Sequence, residues 1–188
     1  MSAAYCLAAP AHPLHGPYHD LEYGFPAEDE AVLFERLVLE INQAGLSWLT
    51  VLKKRDAFRA AFAGFDVDRV AAFDESDVAR LLADPGIVRN RLKIDAVVAN
   101  ARRIRELRVS HGSFHDWLLA HHPRPLDQWT RLFRSTFRFT GGLIVEEFLM
   151  SLGFLPGAHQ PDCPVYARIL AATPPWARVP VGAAPPPN

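Results

Sequence analysis

Cysteine and lysine are scarce in this chain, and several readings fall with them. Two cysteines, Cys6 and Cys163, occur in 188 residues. They are too few for the disulfide framework of a small secreted domain, so a cytoplasmic location is expected. The only lysines are Lys53, Lys54 and Lys93. No apolar run approaches the ~18 residues that a membrane-spanning helix needs. The stretch Met1-Ser2-Ala3-Ala4-Tyr5-Cys6 lacks a basic region followed by an apolar core, so neither a secretory signal nor a membrane partner is expected. Strand-like alternation persists nowhere, and no repeat appears. The formal net charge of −1 argues against a simple electrostatic glove for nucleic acid.

What is present reads as a globular, all-α chain. Hydrophobic residues make up 49% and charged residues 22% of the sequence, ordinary values for a soluble domain. Residues 1–172 are expected to form a single domain, with two intimately packed lobes compatible with that length. The Pro/Ala-rich stretch 173–188 reads as a disordered tail. Residues 1–27, rich in Pro and Gly, show no helical period and read as an ordered arm. The first helix is expected over Glu28–Gln43, with Leu33, Phe34, Leu37, Val38 and Ile41 forming an apolar arc and Glu28, Glu35 and Asn42 on a wet side.

Gly45 breaks that helix, and Ser47 caps a second over Trp48–Ala63. Asp66, Asp74 or Ser76, and Ser113 cap further helices. A long helix is expected over Val88–Val109 and another over Leu126–Ser135. Thr136–Gly142 reads as a glycine-ended hairpin before a helix over Leu143–Leu152. A short helix is placed at Val165–Ala172.

Charge is segregated along the chain. Asp20 to Glu40 is acidic, with Arg36 the exception. Arg89 to Arg108 carries Arg89, Arg91, Lys93, Arg102, Arg103, Arg105 and Arg108. This stretch forms either a basic binding face or a solvated helix surface.

The stretch from Tyr18 to Arg55 concentrates functional residue types. It holds aromatic side chains, a histidine, a carboxylate (Glu40) at the margin of an apolar helix face, and the basic run Lys53-Lys54-Arg55. Such a set suits a flat, polar ligand beside a polyanion. Each residue also has a plainer reading. Trp48 suits a core, Tyr18 a lid over a loop, and Glu40 an ion pair with Arg36 one turn earlier. The two cysteines alone read as unpaired thiols. Taken with histidines they give the pattern C-x12-H (Cys6, His19) and H-x3-C (His159, Cys163), where His12 or His15 competes with His19.

The sequence resembles the type I 3-methyladenine DNA glycosylases. The likeness rests on Tyr18-His19-Asp20, Glu40, Ala44–Trp48 and Leu52–Arg55, then Gly86–Arg89, Lys93-Ile94, Asn100–Arg102 and Phe137–Gly141. It runs in register over roughly residues 6–166 and ends on His159 and Cys163. It implies a compact multi-helix fold of the helix-hairpin-helix glycosylase type. It also implies hydrolysis of the N-glycosidic bond of 3-methyladenine in double-stranded DNA, by an enzyme that flips the base out and acts as a monomer. A structural Zn2+ held by Cys6, His19, His159 and Cys163 would staple the N- and C-terminal segments.

By the same resemblance, Tyr18, Tyr23 and Trp48 stack on the base. Glu40 accepts hydrogen bonds from the base edge and is the best candidate for a catalytic contribution. Lys53, Lys54, Arg55, Arg89, Arg134, Arg138, Gly141 and Gly142 are candidates for contacts to the DNA backbone. No lysine lies in or after the hairpin, so a monofunctional hydrolase without Schiff-base lyase chemistry is expected.

The chain departs from the family at several positions. Ala8 stands where a tryptophan is usual, and Tyr23 replaces another. Ser135-Thr136 replaces the usual Arg-Gly before the hairpin, and Glu146-Glu147 follows it where neutral residues prevail. These changes keep open a shifted base specificity, or a non-catalytic zinc-containing sensor of alkylated DNA. An unrelated zinc hydrolase is disfavoured, because a closed four-ligand set leaves no open coordination position.

Overall fold

The structure, a computed structural model, describes residues 3–178. Among them there are only helices and their connections. In chain order these are α1 (Ala3–Ala8), α2 (His15–Leu21), α3 (Glu30–Gln43), α4 (Trp48–Lys53), α5 (Arg55–Ala61), α6 (Val67–Ala71), α7 (Glu75–Ala83), α8 (Arg91–His111), α9 (Phe114–Ala120), α10 (Leu126–Thr136), α11 (Gly142–Ser151) and α12 (Pro164–Ala171). Short 3-10 turns lie at Ala63–Phe65 and Pro175–Ala177. None of the helices is long and apolar enough to cross a membrane. The chain divides into two compact units. Residues 27–148 form one, and the described residues before and after them form the other.

Side-chain caps set most helix starts in the larger unit. Asp29 accepts a hydrogen bond from Val32 N–H, Ser47 from Thr50 N–H, Asp66 from Arg69 N–H and Ser113 from Asp116 N–H. Asp74 and Asp77 form a full capping box on α7. Each cap satisfies a donor that the first helical turn leaves unpaired, which is why the short polar residues in the sequence mark the starts.

α3 is the centre of this unit. It was expected to keep a wet side, yet every residue from Leu33 to Asn42 is buried. Two of its polar members, Glu35 and Asn42, are satisfied by partners within the protein. Glu35 accepts paired hydrogen bonds from Arg55 (2.9 and 3.1 Å) and Arg59 (2.7 and 3.1 Å). Burial alone would raise its proton affinity, but the two guanidinium groups hold the carboxyl below its ordinary range. Asn42 turns its side chain back to donate to the Val38 carbonyl at 2.9 Å.

α8 packs against α3, α6, α7 and α9. A second part of the core is aromatic, with Phe114, Trp117, Phe133, Phe137 and Phe148 in mutual ring contact.

The arginines of α8 form no bare basic face. Arg91 pairs with Glu75, Arg103 with Glu106, Arg105 with Asp68, and Arg108 with both Glu30 and Asp68. Arg102 donates to the carbonyls of Ala71 and Phe73, each at 2.9 Å, closing the end of α6. Lys93 is buried. The acidic and basic stretches of the sequence are therefore largely each other's partners.

Three expectations are corrected. The N-terminal arm contains α1 and α2. Proline escapes its usual penalty in α2 because Pro17 falls in the first turn, where its N–H has no intrahelical partner. The single helix expected over Trp48–Ala63 is broken at Lys54, with φ −101° and ψ 0°. Thr173 to Arg178 belong to the described chain. Pro175 is buried, and Trp176 stacks on Tyr166 with ring centroids 6.4 Å apart. The rest of the expected tail, 179–188, lies outside the described residues.

Candidate functional site

The smaller unit gathers Cys6, His19, His159 and Cys163. One ligand-type atom from each lies within 4.8 Å of the other three. The measured edges are 3.8 Å from Cys6 Sγ to His159 Nδ1, 3.7 Å from Cys163 Sγ to His19 Nε2, and 3.4 Å from Cys163 Sγ to His159 Nδ1. A tetrahedral ion with sulfur at ~2.3 Å and nitrogen at ~2.0–2.1 Å would give S···N edges of about 3.6 Å.

The ring nitrogens facing away from the cluster are also engaged. His19 Nδ1 lies 2.6 Å from Asp20 Oδ1, and His159 Nε2 donates to the Tyr23 carbonyl at 2.8 Å. These contacts leave His19 Nε2 and His159 Nδ1 as the inward, ligating atoms. The donor set therefore fits a metal ion.

Gly24 secures the segment behind it. It has φ +88°, and a Cβ there would lie 2.8 Å from both Ala158 Cβ and Ile169 Cδ1. His12 and His15 are not part of the cluster. His12 Nδ1 accepts from the Leu14 and His15 backbone, and His15 meets the Tyr5 hydroxyl. Tyr18 and Tyr23 are buried rings of the same unit, with centroids 5.7 Å apart.

The larger unit contains a cleft of about 530 Å³. One wall is the end of α3 and its exit, Gln43 to Leu46. The other is the start of α11, Gly141 to Ile144. Glu40 and Glu147 contribute carboxylates to the lining. Glu40 is 2% exposed, and its Oε1 is buried without a hydrogen-bond partner. Burial first, and the charge of Glu147 second, push its pKa up to about 8, against a weaker opposing pull from Arg36. An unsatisfied buried carboxylate oxygen is costly unless something polar arrives to meet it.

The site residues expected from sequence fall into three groups. Glu40, Gly141 and Gly142 line this cleft together. Trp48 is buried at the start of α4, two residues beyond Leu46, outside the lining. Among the basic candidates, Lys53, Arg89, Arg134 and Arg138 are exposed. Lys54 instead donates to the carbonyls of Pro85 (2.9 Å) and Gly86 (3.2 Å), and Arg55 is bound to Glu35. Both side chains are engaged within the protein. The departure at Ala8 leaves a small, exposed residue on α1.

Sequence reading gave no role to Asp20, whose carboxylate orients His19. Lys93 stands there only as one member of a basic stretch and Asn100 has no role, although both lie in the stretches that carry the resemblance. Their partners are backbone carbonyls and amides far along the chain, which no local pattern reveals.

A model of the methyladenine glycosylase family matches residues 8–131. The chain belongs to the methyladenine glycosylase family. It is 39% identical over 173 residues to DNA-3-methyladenine glycosylase 1 of Escherichia coli (strain K12), spanning 82% of this chain and 92% of that protein. It is 33% identical to the DNA-3-methyladenine glycosylase of Haemophilus influenzae, over 78% of this chain and 89% of the relative.

Solved structures agree. A 3-methyladenine DNA glycosylase I variant in complex with 3-methyladenine superposes with a TM-score of 0.77 at 33% identity, covering 86% of this chain and 96% of that one. The Staphylococcus aureus enzyme, solved for the structural basis of 3-methyladenine recognition, gives 0.78 at 32% identity over 88% and 97%. The methyladenine glycosylase fold is thus present at near full length.

Proposed function

We propose that this protein excises 3-methyladenine from double-stranded DNA by hydrolysing the N-glycosidic bond, as a monofunctional and monomeric enzyme. The observation that carries the reading is Glu40, a buried acceptor without a donor, in a cleft with a second carboxylate. The family supplies the ligand class: relatives named for 3-methyladenine excision cover most of the chain. An alkylated adenine in DNA brings an exocyclic N–H and a positive charge. Both favour the ionised form of Glu40, whose proton affinity falls when the cation enters. Methylation makes the base a good leaving group, so holding it in place and stabilising charge suffice, and no strong general acid is required.

Tyr18, Tyr23 and Trp48 are proposed to stack on the flipped base, a role that rests on the family resemblance. The strap between α10 and α11 serves as the hairpin of a helix-hairpin-helix element. Its Gly141 and Gly142 backbone and the start of α11 would face a DNA phosphate, flanked by Arg134 and Arg138. Lys53 and Arg89 add phosphate contacts. Cys6, His19, His159 and Cys163 would hold zinc, which contributes folding stability and fixes the segment carrying Tyr18 and Tyr23. Two thiols in such a site suit the reducing cytoplasm.

The test is release of free base from methylated duplex DNA at low salt by the zinc-loaded protein. Release of 3-methyladenine supports the proposal. Tight binding of alkylated DNA with no release would make the protein a sensor.

A further inference from the structure

The cleft has two walls from distant parts of the chain, and one helix holds both. Asn90 caps α8 by accepting from Lys93 N–H at 3.2 Å. From this first turn the Lys93 side chain runs inward, leaving the residue 5% exposed. Its Nζ donates to the Asn42 carbonyl at 3.0 Å and to the Ala44 carbonyl at 2.7 Å. These are orphan carbonyls at the negative end of α3, which an ammonium group complements. Ala44 leads directly into Gly45 and Leu46, the first wall of the cleft.

Asn100 lies seven residues later, two turns along the same face of α8. It is 1% exposed and grips one residue of the hairpin from both sides. Its Nδ2 donates to the Arg138 carbonyl at 3.1 Å, and its Oδ1 accepts from Arg138 N–H at 2.7 Å. The next residue, Phe139, has φ +60°. A bulky side chain rarely adopts that conformation, so the surroundings must enforce it. The Phe139 ring in turn lies 5.8 Å from Lys93 Nζ, at cation–π range. Gly141 and Gly142 follow at once and form the second wall.

We infer that Lys93 and Asn100 are positioning residues, Lys93 setting the wall on the α3 side for excision and Asn100 setting the hairpin for duplex binding. The inference rests on the proposed glycosylase reading, in which the first wall meets the base and the hairpin meets the DNA backbone. Neither side chain need touch substrate. Lys93 is committed to two carbonyls, and burial also lowers its proton affinity, in keeping with its enclosed position.

The experiment compares the full chain with Lys93→Met and Asn100→Ala. Single-turnover excision and affinity for undamaged duplex are measured well below each unfolding midpoint. Loss of a buried hydrogen-bonding partner predicts changes of roughly tenfold or more. Lys93→Met is expected to slow excision by that factor while duplex affinity stays within about threefold. Asn100→Ala is expected to weaken duplex affinity by that factor and leave the rate at saturating DNA nearly unchanged. Asn100→Asp keeps the acceptor for Arg138 N–H and should recover part of the loss.

Equal effects of the two variants on rate and affinity, or the opposite split, overturn the assignment. Amide hydrogen exchange gives a reading independent of activity and of which variant folds best. Asn100→Ala should speed exchange at Arg138, with α10 unaffected, while Asn100→Asp should retain most of the protection; unchanged protection in Asn100→Ala overturns the Asn100 role. Wild type that excises nothing refutes the enzymatic reading, while the exchange result still decides the grip on the hairpin.

Discussion

At the Cys6–His19–His159–Cys163 cluster, both outward ring nitrogens have partners, whereas at the cleft Glu40 keeps a buried oxygen that nothing meets. The first site presents four ligand-type atoms, its two imidazole rings held by partners of their own. Burial pushes the Cys6 thiol up, against a weaker opposing pull from a backbone hydrogen bond at Gln160, and a metal ion would favour the thiolate form. The second site is a polar group already desolvated, on a residue that lines a cleft. The first arrangement suits structure, since nothing need enter or leave during turnover. The second suits a ligand, because the desolvation cost is already carried by the folded protein and the incoming donor restores the missing hydrogen bond.

Removing the metal should have the largest effect, and it should fall on stability. With the ion stripped by a chelator, or with Cys163→Ser, denaturant unfolding should show a loss on the order of 5–10 kcal/mol. An unfolding midpoint that chelation does not move would remove the metal from the fold.

Glu40→Gln tests the ligand side. Excision should fall roughly 10²–10³-fold, about 3–4 kcal/mol of transition-state stabilisation. Stability should move the other way. Glu40 titrates at about 8 in the folded protein against an ordinary 4.5. The folded state therefore holds a proton that the unfolded state has released. Wild type loses stability as pH rises from 4.5 through 8, whereas the variant lacks this slope. At pH 9 the variant should be the more stable of the two in thermal unfolding. A less active variant with the same pH–stability slope as wild type would show that Glu40 is not the titrating group.

Glu147→Gln sharpens the same point with a smaller effect, roughly 1–2 kcal/mol. Glu147 raises the proton affinity of Glu40 and is one of the departures from the family. Its removal should shift the rising limb of the pH–rate profile to lower pH and contract the window of stability loss from its upper end. An unshifted limb would place the charge of Glu147 outside the chemistry.

Much of this was legible from sequence wherever the cause is local. Ser47, Asp66, Asp74 and Ser113 were recognisable caps, because a cap acts within three residues. The spacing of His159 and Cys163 is local in the same sense. The metal cluster needed more: nothing in the spacing alone chooses His19 over His12 or His15, and the choice came from resemblance. Non-local partnerships stayed hidden. Glu35 was read as wet, since no pattern shows that Arg55 and Arg59 would accompany it into the interior. The basic run of α8 is compatible in sequence with either a binding face or a solvated surface, and the pairing of Arg91, Arg105 and Arg108 with Glu75, Asp68 and Glu30 is not visible there. Glu40 was visible as a marginal residue on α3. That its Oε1 would be left without a partner is a property of packing alone.

The smallest effects are expected at the basic residues. Lys53 and Lys54 are neighbours of like charge, but Lys54 Nζ is held by the carbonyls of Pro85 and Gly86 while Lys53 is exposed. Lys53→Ala should weaken duplex binding by about 0.5–1 kcal/mol, and the slope of log affinity against log salt should become shallower by ~0.9, because one phosphate fewer is neutralised. Lys54→Ala should leave that slope alone and lower thermal stability instead, because two carbonyls lose their donor. Binding titrations at several salt concentrations separate the two. Equal slopes for both variants would mean that exposure does not identify the residues facing the DNA backbone, and would remove Lys53, and with it Arg89, from the proposed phosphate contacts.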